Sequence, residues 1–379
     1  MECIIIEMVI FMEFKVNYNE CLVNLANSIR KYYGLKTHHS TLAYIDEILE
    51  ERKPETVILF LFDGMGSRML ERIMPEDSYF RKHMIKEITS VYPPTTTAAT
   101  TSVRTGMTPM EHGFMGWDTY IKELDKTITL FLYGEKGGKA PLPEYQELRK
   151  TFEPRKLAVE IREETEYFGC EITPFDDYTY KTLDECFEMI KHHAKKEGKK
   201  FIYAYDTEPD SSMHRNGVYN PKIKEILENR EQRIQDLVNE LENTIVFVVA
   251  DHGLINIENI HLSDYPILVN MLERTPSLEQ RSTSFKVKEE YKEEFKIEFN
   301  KYLGQYFTLL SKQEVLDLKL FGEGNANDNF EYAIGDYISI ATTSNKALIS
   351  ENDWPLASQH AGLFDDEIYV PLIMIDKTK

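Results

Sequence analysis

Four short motifs bring acids and imidazoles into the chain at wide intervals: FDGMG with Asp63, EPDSSMH running from Asp210 to His214, VADHG with Asp251 and His252, and SQHAG with His360. Taken one at a time they say little, because an aspartate after a strand is commonly a turn former or helix cap and a single histidine is commonly structural. Taken together they supply three carboxylates and three imidazoles. That donor set suits four-coordinate zinc, with manganese or iron as competitors. Asp206 and Glu208, close to Asp210, are expected as turn residues and only secondarily as ligands.

Two divalent cations outweigh three carboxylates by one charge, which leaves room for a further anion such as an alkoxide. The stretch YPPTTTAATTSVRTGM, Tyr92 to Met107, holds six threonines that could supply it. Pro93 and Pro94 end the extended segment EITSVY, the threonine run then starts a helix, and Gly106 terminates it. A threonine at a helix start is ordinarily an N-cap. The same place favours an anion, because unpaired N–H groups and the helix dipole stabilise negative charge there. A metal ion would make such a hydroxyl acidic enough to act as a nucleophile.

The elements that must position these residues are legible as apolar runs. VILFLFD, FIYAYD and TIVFVVAD are rich in β-branched and aromatic residues and end in Asp63, Asp206 and Asp251, as buried parallel strands would. A fourth run, IYVPLIMI, lies near the C-terminus. Helical patterns such as TLDECFEMIKHHAKKEG and KIKEILENREQRIQDLVNELEN separate the runs. The alternation predicts an α/β fold, a doubly wound and mostly parallel sheet with helices on both faces, whose ligands gather at the carboxyl ends of the strands. From about Thr275 to Gly335 the chain turns charged and aromatic, with a mostly helical pattern. This predicts a catalytic domain of residues 1–274 and 336–379 and a small inserted α+β cap of residues 275–335.

The net charge of -20, from 64 acidic and 44 basic residues, argues against nucleic-acid polymers and anionic membranes as partners, yet allows a small phosphorylated substrate held through metal ions. Four scattered cysteines without a CxxC pair predict a reducing, cytoplasmic setting. The N-terminal run MECIIIEMVIFMEF is interrupted by Glu2 and Glu7, and is expected as an edge strand or an extension ahead of Met12 rather than a signal. GEKGGKA, from Gly134, has neither the glycine spacing nor the final Ser or Thr of a P-loop.

The order DG, a threonine near a helix start followed by TG and HG, then PDSSxH, DHG and a late xHxG resembles the type I phosphodiesterase and nucleotide pyrophosphatase branch of the alkaline phosphatase superfamily. The resemblance spans Thr56 to Ile375 and implies an alkaline phosphatase-like fold and two divalent metal ions, zinc foremost. It assigns one ion to Asp210, His214 and His360, and the other to Asp63, Asp251, His252 and the nucleophile. Members place the nucleophilic threonine ten residues before the glycine of TG, which here is Thr96 ahead of Gly106. The implied reaction is attack of that threonine on phosphorus and hydrolysis of the phosphoenzyme by water. Nucleotide-cleaving members carry a phosphate-holding Asn four residues after the glycine of HG, and this chain has Trp117 there. Trp117 is expected either to line a substrate pocket under the cap or to pack in the core. The expected function is therefore a two-metal phosphoric ester hydrolase, with a phosphomonoesterase or phosphomutase and a catalytically silent metal-binding protein as the alternatives. His112 is expected to be structural, and Arg104 to sit away from the helix start.

Overall fold

The computed structural model of the chain describes residues 16–175 and 177–378, so the N-terminal apolar run lies outside the described residues. The expected strands form the middle of a seven-stranded sheet in the order Met84–Thr89, Tyr369–Lys377, Thr244–Val249, Thr56–Phe62, Lys200–Asp206, Phe168–Thr173 and Tyr178–Thr179. Thr56–Phe62 runs parallel to both of its neighbours and is buried along its whole length, which is why its sequence is continuously apolar rather than alternating. Tyr369–Lys377 is a strand as expected, but pairs antiparallel on both sides.

Register decides where the chemistry lies. Phe62 stands opposite Asp206 and Leu61 opposite Val249, so the chain leaves all three parallel strands at one edge of the sheet. Asp63, Asp210 and Asp251 follow directly at that edge. The crossovers are the helices Leu183–Ala194 and Pro221–Asn239, the first opened by a capping box on Thr182 and the second by Asn220 ahead of Pro221.

A second seven-stranded sheet runs Thr308–Ser311, Tyr337–Ile340, Ser282–Phe285, Ser277–Leu278, Asp118–Ile121, Lys126–Thr129 and Gly134–Glu135, with antiparallel pairing throughout. Residues 275–335 supply three of these strands and the helices Lys292–Leu303, Lys312–Asp317 and Phe330–Ala333. The strands within this segment, SL, STSF and TLLS, are too short to register against its Lys/Glu-rich helical pattern. An apolar cluster that includes Tyr92, Leu278, Ile338 and Ile368 joins the second sheet to the segments next to the first-sheet strands Met84–Thr89 and Tyr369–Lys377. At the same junction Arg281 and Glu367, both fully buried, form a bidentate ion pair at 2.7 and 2.9 Å.

Candidate active site

Glycines hold two of the motifs in place. Gly64 turns the chain after Asp63 with φ +74°, and a Cβ there would meet Asp210 Cβ at 2.9 Å and Leu254 Cδ1 at 2.7 Å. Glycine thus lets the first two acidic motifs touch, and Asp210 N donates to Asp63 O at 3.0 Å. Asp210 opens the short helix Asp210–Asn216, which puts His214 one turn later on the same face. Gly253 passes so close to Asp366 that a Cβ would lie 2.0 Å from its carbonyl oxygen.

The helix Thr96–Thr105 ends at Gly106 in the left-handed region, as the threonine stretch predicted. Its hydroxyls have separate fates. Thr100, Thr101 and Thr105 donate to the carbonyls four residues back at 2.7 to 2.8 Å. Thr97 Oγ1 is buried without a hydrogen bond. Thr95 is the N-cap residue, yet its hydroxyl does not cap the helix; it donates to Glu279 Oε1 at 2.5 Å. Thr96 Oγ1 alone of the six faces the acids and imidazoles. It lies 3.5 and 3.4 Å from Asp63 Oδ1 and Oδ2 and 3.2 Å from His252 Nε2.

The cluster around Thr96 is closely packed. Potential ligand atoms of Asp63, Asp251 and His252, and of Asp210, His252 and His360, lie within 4.8 Å of one another in each group. His252 belongs to both, whereas the sequence reading assigned it to one ion only. His214 Nε2 sits 3.1 Å from Asp210 Oδ1, and the rings of His252 and His360 stack with centroids 3.9 Å apart. His214 Nδ1 is 2.8 Å from the Ser358 carbonyl and His252 Nδ1 is 3.2 Å from the Gly253 carbonyl. A ring nitrogen against a carbonyl oxygen must carry the proton, which turns each Nε2 toward the carboxylates either protonated or as a bare lone pair. A lone pair facing a carboxylate is stable with a cation between them. Asp251 Oδ2 and His360 Nδ1 are also buried without hydrogen-bond partners. These donors fit metal ions.

Electrostatics agrees. Burial first, then the Asp251 and Asp210 charges, push the Asp63 carboxyl well above the usual range, although Tyr205 OH donates to Asp63 Oδ2. Burial likewise raises Asp251. Burial also presses upward on Asp210, but His214 opposes it and the carboxyl ends below its ordinary value. His360 is driven well down by burial and by its His252 and His214 neighbours.

The family of type I phosphodiesterases and nucleotide pyrophosphatases matches residues 57–131 and 117–348, a span that reaches from the first strand through the second sheet. The chain belongs to this family. It is thus a phosphoester hydrolase with the α/β fold of the alkaline phosphatase superfamily. Similar solved structures include murine ectonucleotide pyrophosphatase/phosphodiesterase 5 as an inactive threonine-to-alanine variant in complex with AMP, at 14% identity and a TM-score of 0.64, covering 83% of this chain and 87% of that one. The human protein of the same name aligns at 14% identity and a TM-score of 0.62, over 84% and 87%. No curated protein matches by sequence.

Other candidate residues of this phosphodiesterase-family chain fall into place around the cluster. His112 is buried between Ser102 Oγ and Phe114 N, and burial lowers its pKa to about 3, so it is a core residue. Arg104 pairs with Glu171, Asp206 with Arg230 at 2.8 Å, and Glu208 accepts from Ser212 N and Oγ. Trp117 is 39% exposed, with its ring edge-on to Phe131, so the core alternative does not hold. Its backbone N–H donates to Glu279 Oε1 at 2.7 Å. Glu279 itself was missed by sequence reasoning: it lies in a hairpin between Ser277–Leu278 and Ser282–Phe285, without a motif around it.

Proposed function

We propose that this enzyme hydrolyses a small phosphoric ester through a Thr96 phosphoenzyme. The observation that carries the reading is the convergence of Thr96 Oγ1 on His252 Nε2 and on both oxygens of Asp63. Asp210, His214 and His360 would hold one divalent ion, and Asp63, Asp251, His252 and Thr96 the other, with His252 close to both groups. Zinc is the ion such nitrogen and oxygen donors favour. Bound there, two ions supply Lewis acidity to a phosphoryl oxygen and lower the pKa of the Thr96 hydroxyl.

The protein's own groups do the rest. Asp63 orients the Thr96 hydroxyl, and Tyr205 donates to the same carboxyl and fixes it. The Thr95 hydroxyl is turned away to Glu279, so the first N–H groups of the Thr96–Thr105 helix remain open to substrate oxygens. Attack forms the Oγ1–P bond and breaks the bond from phosphorus to the leaving oxygen; water then attacks phosphorus, freeing Thr96 and phosphate or a phosphomonoester. The murine relative's inactive threonine variant and its AMP complex support both a threonine nucleophile and a small phosphorylated substrate.

The second sheet serves in this reading as the cap, with residues 275–335 completed by the strands between Asp118 and Glu135 and by Tyr337–Ile340, and Trp117 at its junction as a substrate-facing surface. Among the described residues no helix is long and apolar enough to cross a membrane. Cys21, Cys170 and Cys186 are free and buried, which supports a reducing, cytoplasmic setting.

The test is a side-by-side assay of chromogenic phosphomonoester, phosphodiester and phosphonate esters with zinc and with manganese. Hydrolysis that depends on added metal supports the reading. Metal binding without turnover of any of the three would instead identify a silent metal-binding protein.

A further inference from the structure

Glu279 is an acid beside the site that the proposed metal chemistry leaves unused. It is 8% exposed and is anchored through a single oxygen, since Thr95 Oγ1 and Trp117 N both donate to Oε1 at 2.5 and 2.7 Å. Oε2 makes no hydrogen bond among the described residues, and it is absent from the sealed, unpartnered buried atoms that include Asp251 Oδ2. Glu367 shows what a purely structural buried carboxylate does here. Both of its oxygens are used, by Arg281 and by the N–H groups of Gly362 and Phe364. Glu279 holds one oxygen back.

Its placement says where that oxygen's charge is felt. Thr95, whose hydroxyl donates to Glu279, is the chain neighbour of the proposed nucleophile. The carboxylate therefore stands at the helix start, one residue from Thr96 and against the backbone of Trp117. No lysine or arginine among the described residues forms an ion pair with Glu279, Asp63, Asp210 or Asp251. Three aspartates and a Thr96 alkoxide already balance two divalent ions. Burial pushes the Glu279 carboxyl up to about 7, so above that pH it is the negative charge left over.

We propose that Glu279 is a specificity-determining residue that selects phosphodiesters over phosphomonoesters through the charge on the phosphoryl group. The inference rests on the Thr96 two-ion reading above. A diester carries one negative charge at the phosphorus and a monoester, above its second pKa near 6, carries two. A fixed carboxylate beside that group penalises the second charge, by roughly tenfold or more in rate at separations of several ångströms in a partly screened site.

The experiment compares bis-p-nitrophenyl phosphate with p-nitrophenyl phosphate at about pH 8.5, in the metal-loaded wild type, Glu279→Gln and Glu279→Asp. Glutamine keeps an acceptor oxygen for Thr95 and Trp117 but removes the charge; aspartate keeps the charge but retracts it. The wild type is expected to favour the diester in kcat/KM. In Glu279→Gln the monoester-to-diester ratio is expected to rise about tenfold or more, and in Glu279→Asp to stay near the wild-type value. A wild type that prefers the monoester, an unchanged ratio in Glu279→Gln, or an equal change in both variants overturns the proposal. Failure of the wild type to cleave either ester refutes the Thr96 two-ion reading instead, so the two failures are distinct.

Discussion

Thr96 Oγ1 lies 3.2 Å from His252 Nε2, the nitrogen left facing the site because His252 Nδ1 is engaged by the Gly253 carbonyl. A hydroxyl at a helix start and an imidazole after a parallel strand thus meet over Asp63, although 156 positions separate them in sequence. Strand register and the glycine turns produce that meeting.

The other threonines of the helix should be tolerant. Thr100→Ala and Thr101→Ala remove hydroxyls that bond only to carbonyls of their own helix, and each should leave kcat within a few-fold of wild type. Thr97→Val replaces a buried, unpartnered hydroxyl by a methyl group of similar size and is expected to raise stability by about 1 kcal/mol. Steady-state kinetics of the two alanine variants and thermal denaturation of Thr97→Val check this.

Metal loading should stabilise the protein and bring close to two ions per chain. Chelation should lower Tm and abolish turnover together. Asp251→Asn and His360→Ala are each expected to lower the stoichiometry, read by elemental analysis of the purified variants. Active protein with no bound metal contradicts the two-ion assignment.

Acid should find His112. Its pKa is depressed by burial from 6.5 to about 3, so the neutral ring contributes stability that is complete above about pH 6.5 and is lost as the pH falls toward 3. The loss is on the order of 5 kcal/mol over that window, the cost of holding a charged ring in a buried site. His112→Gln should flatten this part of the stability profile and leave the metal content unchanged, since His112 lies outside both ligand groups.

Trp117→Ala should lower stability by about 1 kcal/mol or less, against the roughly 3 to 5 kcal/mol that truncation of a core aromatic costs. Its ring is 39% exposed, and the contact with Glu279 is made by its backbone. A shift in KM for the preferred ester with little change in Tm is the expected pattern, measured by steady-state kinetics and calorimetry.

Much of this was legible because buried parallel strands leave a strong trace. Each of the three central runs is continuously apolar and closes on or near an acid, so both the sheet and the edge that carries Asp63 and Asp251 follow from one pattern. The second sheet leaves little trace. Its strands are short and rich in Ser and Thr, and they come from both sides of the segment read as the cap. Glu279 could not be found from its neighbours in sequence, because it reaches the site through a hairpin in which Leu278 takes a φ of +71°. Trp117 was judged by its side chain, while its backbone N–H makes the contact with Glu279. The sharing of His252 between two ligand groups is a matter of ångströms that motif order does not encode.

The central claim is that Thr96 carries the phosphoryl group, and the direct measurement is Thr96→Ala assayed for metal content and turnover in the same preparation. The account predicts metal bound at close to the wild-type stoichiometry, an unchanged fold, and kcat on phosphate esters reduced by about a thousandfold or more. A metal-loaded Thr96→Ala enzyme that keeps kcat within tenfold of wild type would contradict it.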